Sequence, residues 1–152
     1  MVDFAKLNAD WYASLSPEEK VRVDAHREKE RAAEATAVEI QGEFARYASN
    51  DGGKTSYVIK TWTRPVKMRI ETAKGMDGQP YEILAFVGAV TGHERFRLDD
   101  IREWIGKEPA GEEWAICGGS LRYDSCHVKV DDVLNYLRDI RPGMFAPAPA
   151  VP

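Results

Sequence analysis

Residues 16–19, Ser-Pro-Glu-Glu, fix where one helix must begin. The Ser16 hydroxyl can accept from the N3 amide, and Glu19 can reach back to the Ser16 amide. Proline is tolerated at N1 because the N–H it lacks would have no intrahelical acceptor. From Glu18 to Ala48 only Gly42 opposes a helix, so the pattern predicts one long helix to about residue 48. Its halves differ. Residues 18–31 hold ten charged side chains in fourteen positions, and only Val21 and Val23 are large and apolar. Residues 33–48 place Ala33, Ala37, Ile40, Phe44, Tyr47 and Ala48 at helical spacing. The second half is expected to pack on a core and the first to face solvent or a partner. Ser49-Asn50-Asp51-Gly52-Gly53 then stops the helix. Upstream, Phe4, Leu7, Trp11, Tyr12 and Leu15 make residues 1–15 too apolar for a free tail, so this segment is expected to dock on the body.

Strand patterns follow. Thr55–Thr63 is rich in β-formers, and Val66–Thr72 alternates Val66, Met68 and Ile70 with Lys67, Arg69 and Glu71. Arg64-Pro65 is expected to turn between them. Met76-Asp77-Gly78-Gln79 carries the Asp-Gly hairpin signal before a third strand at Tyr81–Val90. Phe96–Ile105 then aligns without gaps on Val128–Leu137, at an offset of 32 residues. Each copy reads as a strand end, an Asp pair and a short helix, the first Asp capping and the second near the positive helix end. Ile83–Val87 and Ala115–Gly119 repeat at the same offset, so each unit reads strand–turn–strand–helix. The predicted fold is α+β: an antiparallel sheet, a meander plus two such units, with the long N-terminal helix and two short helices. One domain spans 16–143. Residues 144–152, rich in Pro and Ala, form a flexible tail whose Phe145 can dock locally. The expected core is Ile59, Met68, Ile70, Ile83, Phe86, Ile101, Trp104, Trp114, Ile116, Val130, Val133, Tyr136 and Leu137.

A hydrophobic share of 43% in 152 residues suits such a domain and excludes wholesale disorder. The longest apolar runs fall far short of the ~20 residues that span a bilayer, so no membrane role is expected. The N-terminus has two acids and no apolar stretch of a secretory signal, which points to a cytoplasmic setting. The net charge of -4 conceals a split. Residues 1–50 sum to -3, residues 51–74 to +4 and residues 75–152 to -5. A basic band therefore lies between acidic flanks, which bears on partners rather than on fold.

The chemistry-bearing residues form no catalytic set. No nucleophile elbow, phosphate loop or zinc-protease motif is present, so the chain is read as no enzyme, with no cofactor and no metal. Adjacent strand residues Cys126 and His127 point to opposite faces. A hairpin centred between Leu121 and Arg122 would set Cys117 opposite Cys126, but two Cys and one His fall short of a structural zinc set. His93 lies in an expected turn. Two binding readings remain. The leading one is a non-catalytic protein-interaction module that uses the charged helix half, Arg27, Glu28, Glu30 and Arg31. Its general look is of a compact accessory protein or inhibitor, such as those carried by phages and mobile elements, acting on a host protein. The alternative is a nucleic-acid-binding hairpin, with Lys60, Trp62, Lys67 and Arg69 on one cationic, aromatic face and Arg64 at its turn.

Overall fold

A computed structural model describes residues 2–89, 94–105, 113–118 and 124–145. Two helices come first, α1 (Phe4–Ala13) and α2 (Pro17–Glu34). Strands β1 (Val38–Ala48), β2 (Tyr57–Lys74), β3 (Pro80–Val87) and β4 (Glu94–Arg97) lead into α3 (Leu98–Ile105). Strands β5 (Glu113–Gly118) and β6 (Asp124–Lys129) lead into α4 (Val130–Ile140), and a 3-10 turn covers Pro142–Phe145. The six strands form one antiparallel, curled sheet in the order β4-β3-β2-β1-β6-β5. The fold is α+β, as the alternating patterns predict.

The start of α2 is the one predicted: Glu19 N donates to Ser16 Oγ and Ser16 N to Glu19 Oε1, both at 3.2 Å. Its end is not. The helix stops at Glu34, and residues 38–48 are strand β1, paired with β2 on one side and β6 on the other. Ile40 and Phe44 satisfy a helical spacing, but Val38, Ile40, Gly42 and Phe44 equally satisfy a period of two. Gly42 decides. A Cβ there would lie 2.6 Å from Val66 Cγ2 and 2.9 Å from Phe44 Cε2, so only glycine lets the Phe44 ring lie across the strand.

The second correction is at Pro65. No turn separates two short strands; β2 runs unbroken for 18 residues. Gln41 of β1 opposes Pro65, whereas β3 pairs with β2 only from Lys67 onward. Among the described residues the side of β2 that faces away from β1 is therefore unpaired at Pro65, and a residue with no N–H loses no ladder bond there. The Asp-Gly turn is as expected, with Gly78 at φ 79° and its N–H bonded to Gly75 O.

The strand, strand and helix of each unit are present and keep their 32-residue offset, α3 beginning at Leu98 and α4 at Val130; residues 90–93 and 119–123, between the paired strands, lie outside the described residues. The Asp pairs lie inside the first turn of each helix rather than at an N-cap; Lys129 caps α4 without a side-chain bond. These carboxylates act on the helix dipole instead. Cys117 opposes Cys126 in the β5–β6 register, as the hairpin count predicts.

Met68, Ile70, Leu84, Phe86, Ile116 and Val128 of the sheet pack against Leu98, Ile101, Val133 and Leu137 of α3 and α4. Of the expected core, Ile59 is 54% exposed and Ile83, Trp104 and Trp114 are half-buried. The sheet curls far enough for its two edge strands to meet: Phe96 of β4 and Trp114 of β5 lie 4.8 Å apart by ring centroid, with Phe86 and Trp104 also on Trp114. Met144 and Phe145 pack on this core, so the first two residues of the expected tail are docked; residues 146–152 lie outside the described residues.

Candidate functional site

The continuous β2 strand separates the expected basic patch onto two faces. Even positions from Lys60 to Ile70 face the core side and odd positions face out, because no bulge interrupts β2 between Lys60 and Lys74. Lys60, Trp62 and Arg64 therefore share the inner face, and Lys67 and Arg69 lie on the outer one. The single surface expected from Lys60, Trp62, Lys67 and Arg69, with Arg64 at the turn, does not form.

On the inner face the register sets three rows side by side. Lys60, Arg46 and Asp124 form the outermost; Trp62, Phe44 and Cys126 the next; Arg64, Gly42 and Val128 the third. Phe44 and Trp62 stack at 5.5 Å and 14°. Arg46 and Lys60 lie over the Trp62 ring at 5.4 and 5.5 Å, and Arg64 over Phe44 at 4.3 Å. Arg46 also grips Asp124 through Nε and Nη2 at 2.9 and 3.2 Å, and this hydrogen bond raises the guanidinium pKa. Among the described residues no carboxylate pairs with Lys60 or Arg64. Arg46 and Phe44 complete this cluster, and the sequence reading missed both because it placed them on a helix.

Outer-face Lys67 and Arg69 are committed elsewhere. Beyond Met68, β2 has no β1 partner, and the end of α2 takes its place: Ile70 N donates to Thr36 Oγ1 at 2.8 Å. This brings Glu30 and Glu34 over the strand. Lys67 bonds Glu34, and Arg69 bonds Glu30, Glu34 and Glu71, while Arg95 takes the other Glu71 oxygen. Burial pushes the Glu71 carboxyl up, but hydrogen bonds from Arg95 and Arg69 more than offset it and leave the pKa lowered. The Lys67 hydrogen bond lowers that of Glu34.

The helical surface is also redistributed. Arg27 reaches Asn8 at 3.4 Å and lies over the Tyr12 ring at 5.0 Å, and Tyr12 Oη donates to Asp24 at 2.8 Å. These contacts make a hairpin of α1 and α2. The N-terminal segment therefore docks on α2 and not on the sheet, and its apolar residues stay outside: Phe4 is 78% exposed, Leu7 55% and Trp11 50%. Of the four charged residues expected to form a partner surface, Glu30 holds the sheet and Arg27 holds α1. Glu28 and Arg31 remain in solvent, paired with each other at 2.7 Å.

His127 opposes Glu43 across β1–β6, and both line a depression of about 320 Å3 on the outer face with Thr61 and Thr63. Among the described residues no group of three His, Cys, Asp or Glu side chains is placed to hold a metal ion. His93 lies outside the described residues. No described helix is long and apolar enough to cross a membrane. Comparison with protein-family models, with curated proteins and with solved structures finds no match.

Proposed function

We propose that this chain is a non-catalytic protein-interaction module that presents its N-terminal helical hairpin to a partner protein. The observation that supports this reading is the exposed stripe of Phe4, Leu7 and Trp11 on α1. Their spacing of i, i+3 and i+7 is that of a helix that lays an apolar face into a groove. No residue of the helix is fully buried on its own molecule, and Phe4, Leu7 and Trp11 keep half or more of their surface exposed. Arg27 and Tyr12 hold α1 in place, and the exposed Glu28–Arg31 pair supplies a polar rim. A compact accessory protein or inhibitor that seizes a host protein would use such a surface. Nucleic-acid contact is the weaker reading, because the five side chains it relied on are divided between two faces and two of them are ion-paired.

Site-specific photo-crosslinking in the source cell tests the proposal. A photoreactive side chain in place of Trp11 should give one discrete adduct. The same group in place of Met76, a fully exposed hairpin-turn residue, should give none. Leu7→Asp should remove the adduct while circular dichroism stays unchanged. Equal crosslinking at both positions, or an adduct insensitive to Leu7→Asp, counts against the hairpin.

A further inference from the structure

Among the described residues, the side of β2 that faces away from β1 has no partner strand before Lys67. The last residue of β3, Val87, opposes Lys67, and Gly88 at φ 86° then takes the chain out of the ladder, with Arg64 Nη2 donating to Ala89 O at 3.3 Å. Among the described residues no strand lies along that side of residues 57–65. Eight of these nine residues are exposed, Trp62 being half-buried. Backbone direction follows from one bond. Ile70 N points toward the β1 side, to Thr36, and no bulge intervenes down to Lys60. Alternation then turns the N–H and C=O groups of Thr61 and Thr63 to the open side. Pro65 offers only its C=O there, which closes the usable edge at its base. An edge this long and this rich in β-formers is a template for a further strand.

Charge selects the occupant. Lys60 stands directly opposite Arg46, a like charge across the pair, and Arg46 already has Asp124. Lys60 and Arg64 have no carboxylate among the described residues and sit on either side of Trp62 on one face. For a strand added antiparallel on the open side, positions facing Lys60, Trp62 and Arg64 are the non-hydrogen-bonded ones, where side chains approach closest. We propose that the edge of β2 from Lys60 to Pro65, ending at the bulge where the β1 pairing skips Ile59, is a strand-addition site for an acidic extended segment of a partner protein. That segment carries acidic side chains four residues apart, opposite Lys60 and Arg64, with an apolar one between them opposite Trp62. The backbone bonds of Thr61 and Thr63 supply register, and the two cations repel basic strands. This edge is separate from the helical hairpin and needs nothing from it.

The probes are two acetylated, amidated nine-residue peptides of threonine. The first carries Glu, Leu and Glu at positions three, five and seven; the second carries Lys in place of Glu. The Glu peptide should bind the wild-type chain, more weakly as salt rises. It should also slow hydrogen exchange at the Thr61 and Thr63 amides. The Lys60→Glu/Arg64→Glu variant should reverse the preference by about tenfold in favour of the Lys peptide. An unfolded variant could not produce that gain. Thr61→Pro removes an outward N–H without touching the β1 ladder and should abolish binding of the Glu peptide. The proposal is overturned if neither peptide binds its matched protein, or if the preference does not reverse. It is equally overturned if oligothymidylate binds Lys60 and Arg64 while the Glu peptide does not. Concentration-dependent protection of Thr61 and Thr63 without peptide, which marks a second copy on the edge, also overturns it.

Discussion

At the scale of single residues, Arg69 has the most to lose. Its side chain is 11% exposed and joins Glu30, Glu34 and Glu71, so it ties α2 to the sheet. The buried Ala85 opposite it in β3 leaves room for Arg69 and Arg95 to flank Glu71 from either side. Arg69→Ala should cost about 2 kcal/mol in urea unfolding, below the 3–5 typical of a broken buried pair, because Glu71 keeps Arg95. Asp51 offers a pH signal. Hydrogen bonds from the Thr55 side chain and backbone, then from Ser49, lower its pKa from 3.8 to about 2. A depressed carboxylate favours the folded loop above its unfolded value, and that contribution vanishes as pH falls through the folded one. The Thr55 amide shift should therefore titrate with a midpoint near 2. A midpoint near 3.8 would show that the Asp51 loop bonds are absent in solution.

Among the elements, α1 and β3 make opposite predictions. Trp11→Ala should change stability by less than about 0.5 kcal/mol, since Trp11 stays half exposed and no α1 residue is fully buried. Phe86→Ala, at a fully buried β3 position, should cost about 3–5 kcal/mol. Comparable losses in thermal unfolding would mean that α1 packs on the sheet. Where the sequence was legible, a side chain acted on its own neighbourhood. The Ser16 box, the Asp77-Gly78 turn and the paired spacing of Cys117 and Cys126 are settled by local chemistry. The misreadings at Gly42 and Pro65 come from residues whose meaning depends on what lies beside them. Gly42 is a mild helix-breaker until Phe44 and Val66 are seen to need its missing side chain. Pro65 is a turn residue until the adjacent strand is known to stop at Val87. The candidate site suffered from both errors, because the faces of Lys60 and Arg69 are set by whether β2 bends.

For the whole molecule, closure of the curled sheet rests on rings rather than on a backbone ladder. Trp114 touches Phe86, Phe96 and Trp104, so it bridges β5 to β3, β4 and α3. Trp114→Ala should weaken near-ultraviolet dichroism and lower stability by about 3 kcal/mol. Hydrogen exchange should speed up in β4 and β5 together, while β1 and β2 stay protected. Acceleration confined to β5 would show that the two edges are independent. The order β4-β3-β2-β1-β6-β5 also sets a timetable. The first four strands meander and can pair as they leave the ribosome. The second side of β1 must wait, since Arg46 meets Asp124 only 78 residues later. Until then Phe44 and its backbone stand open to any passing strand. A nascent chain arrested before β6 should therefore be a better substrate for a holdase chaperone than the finished protein.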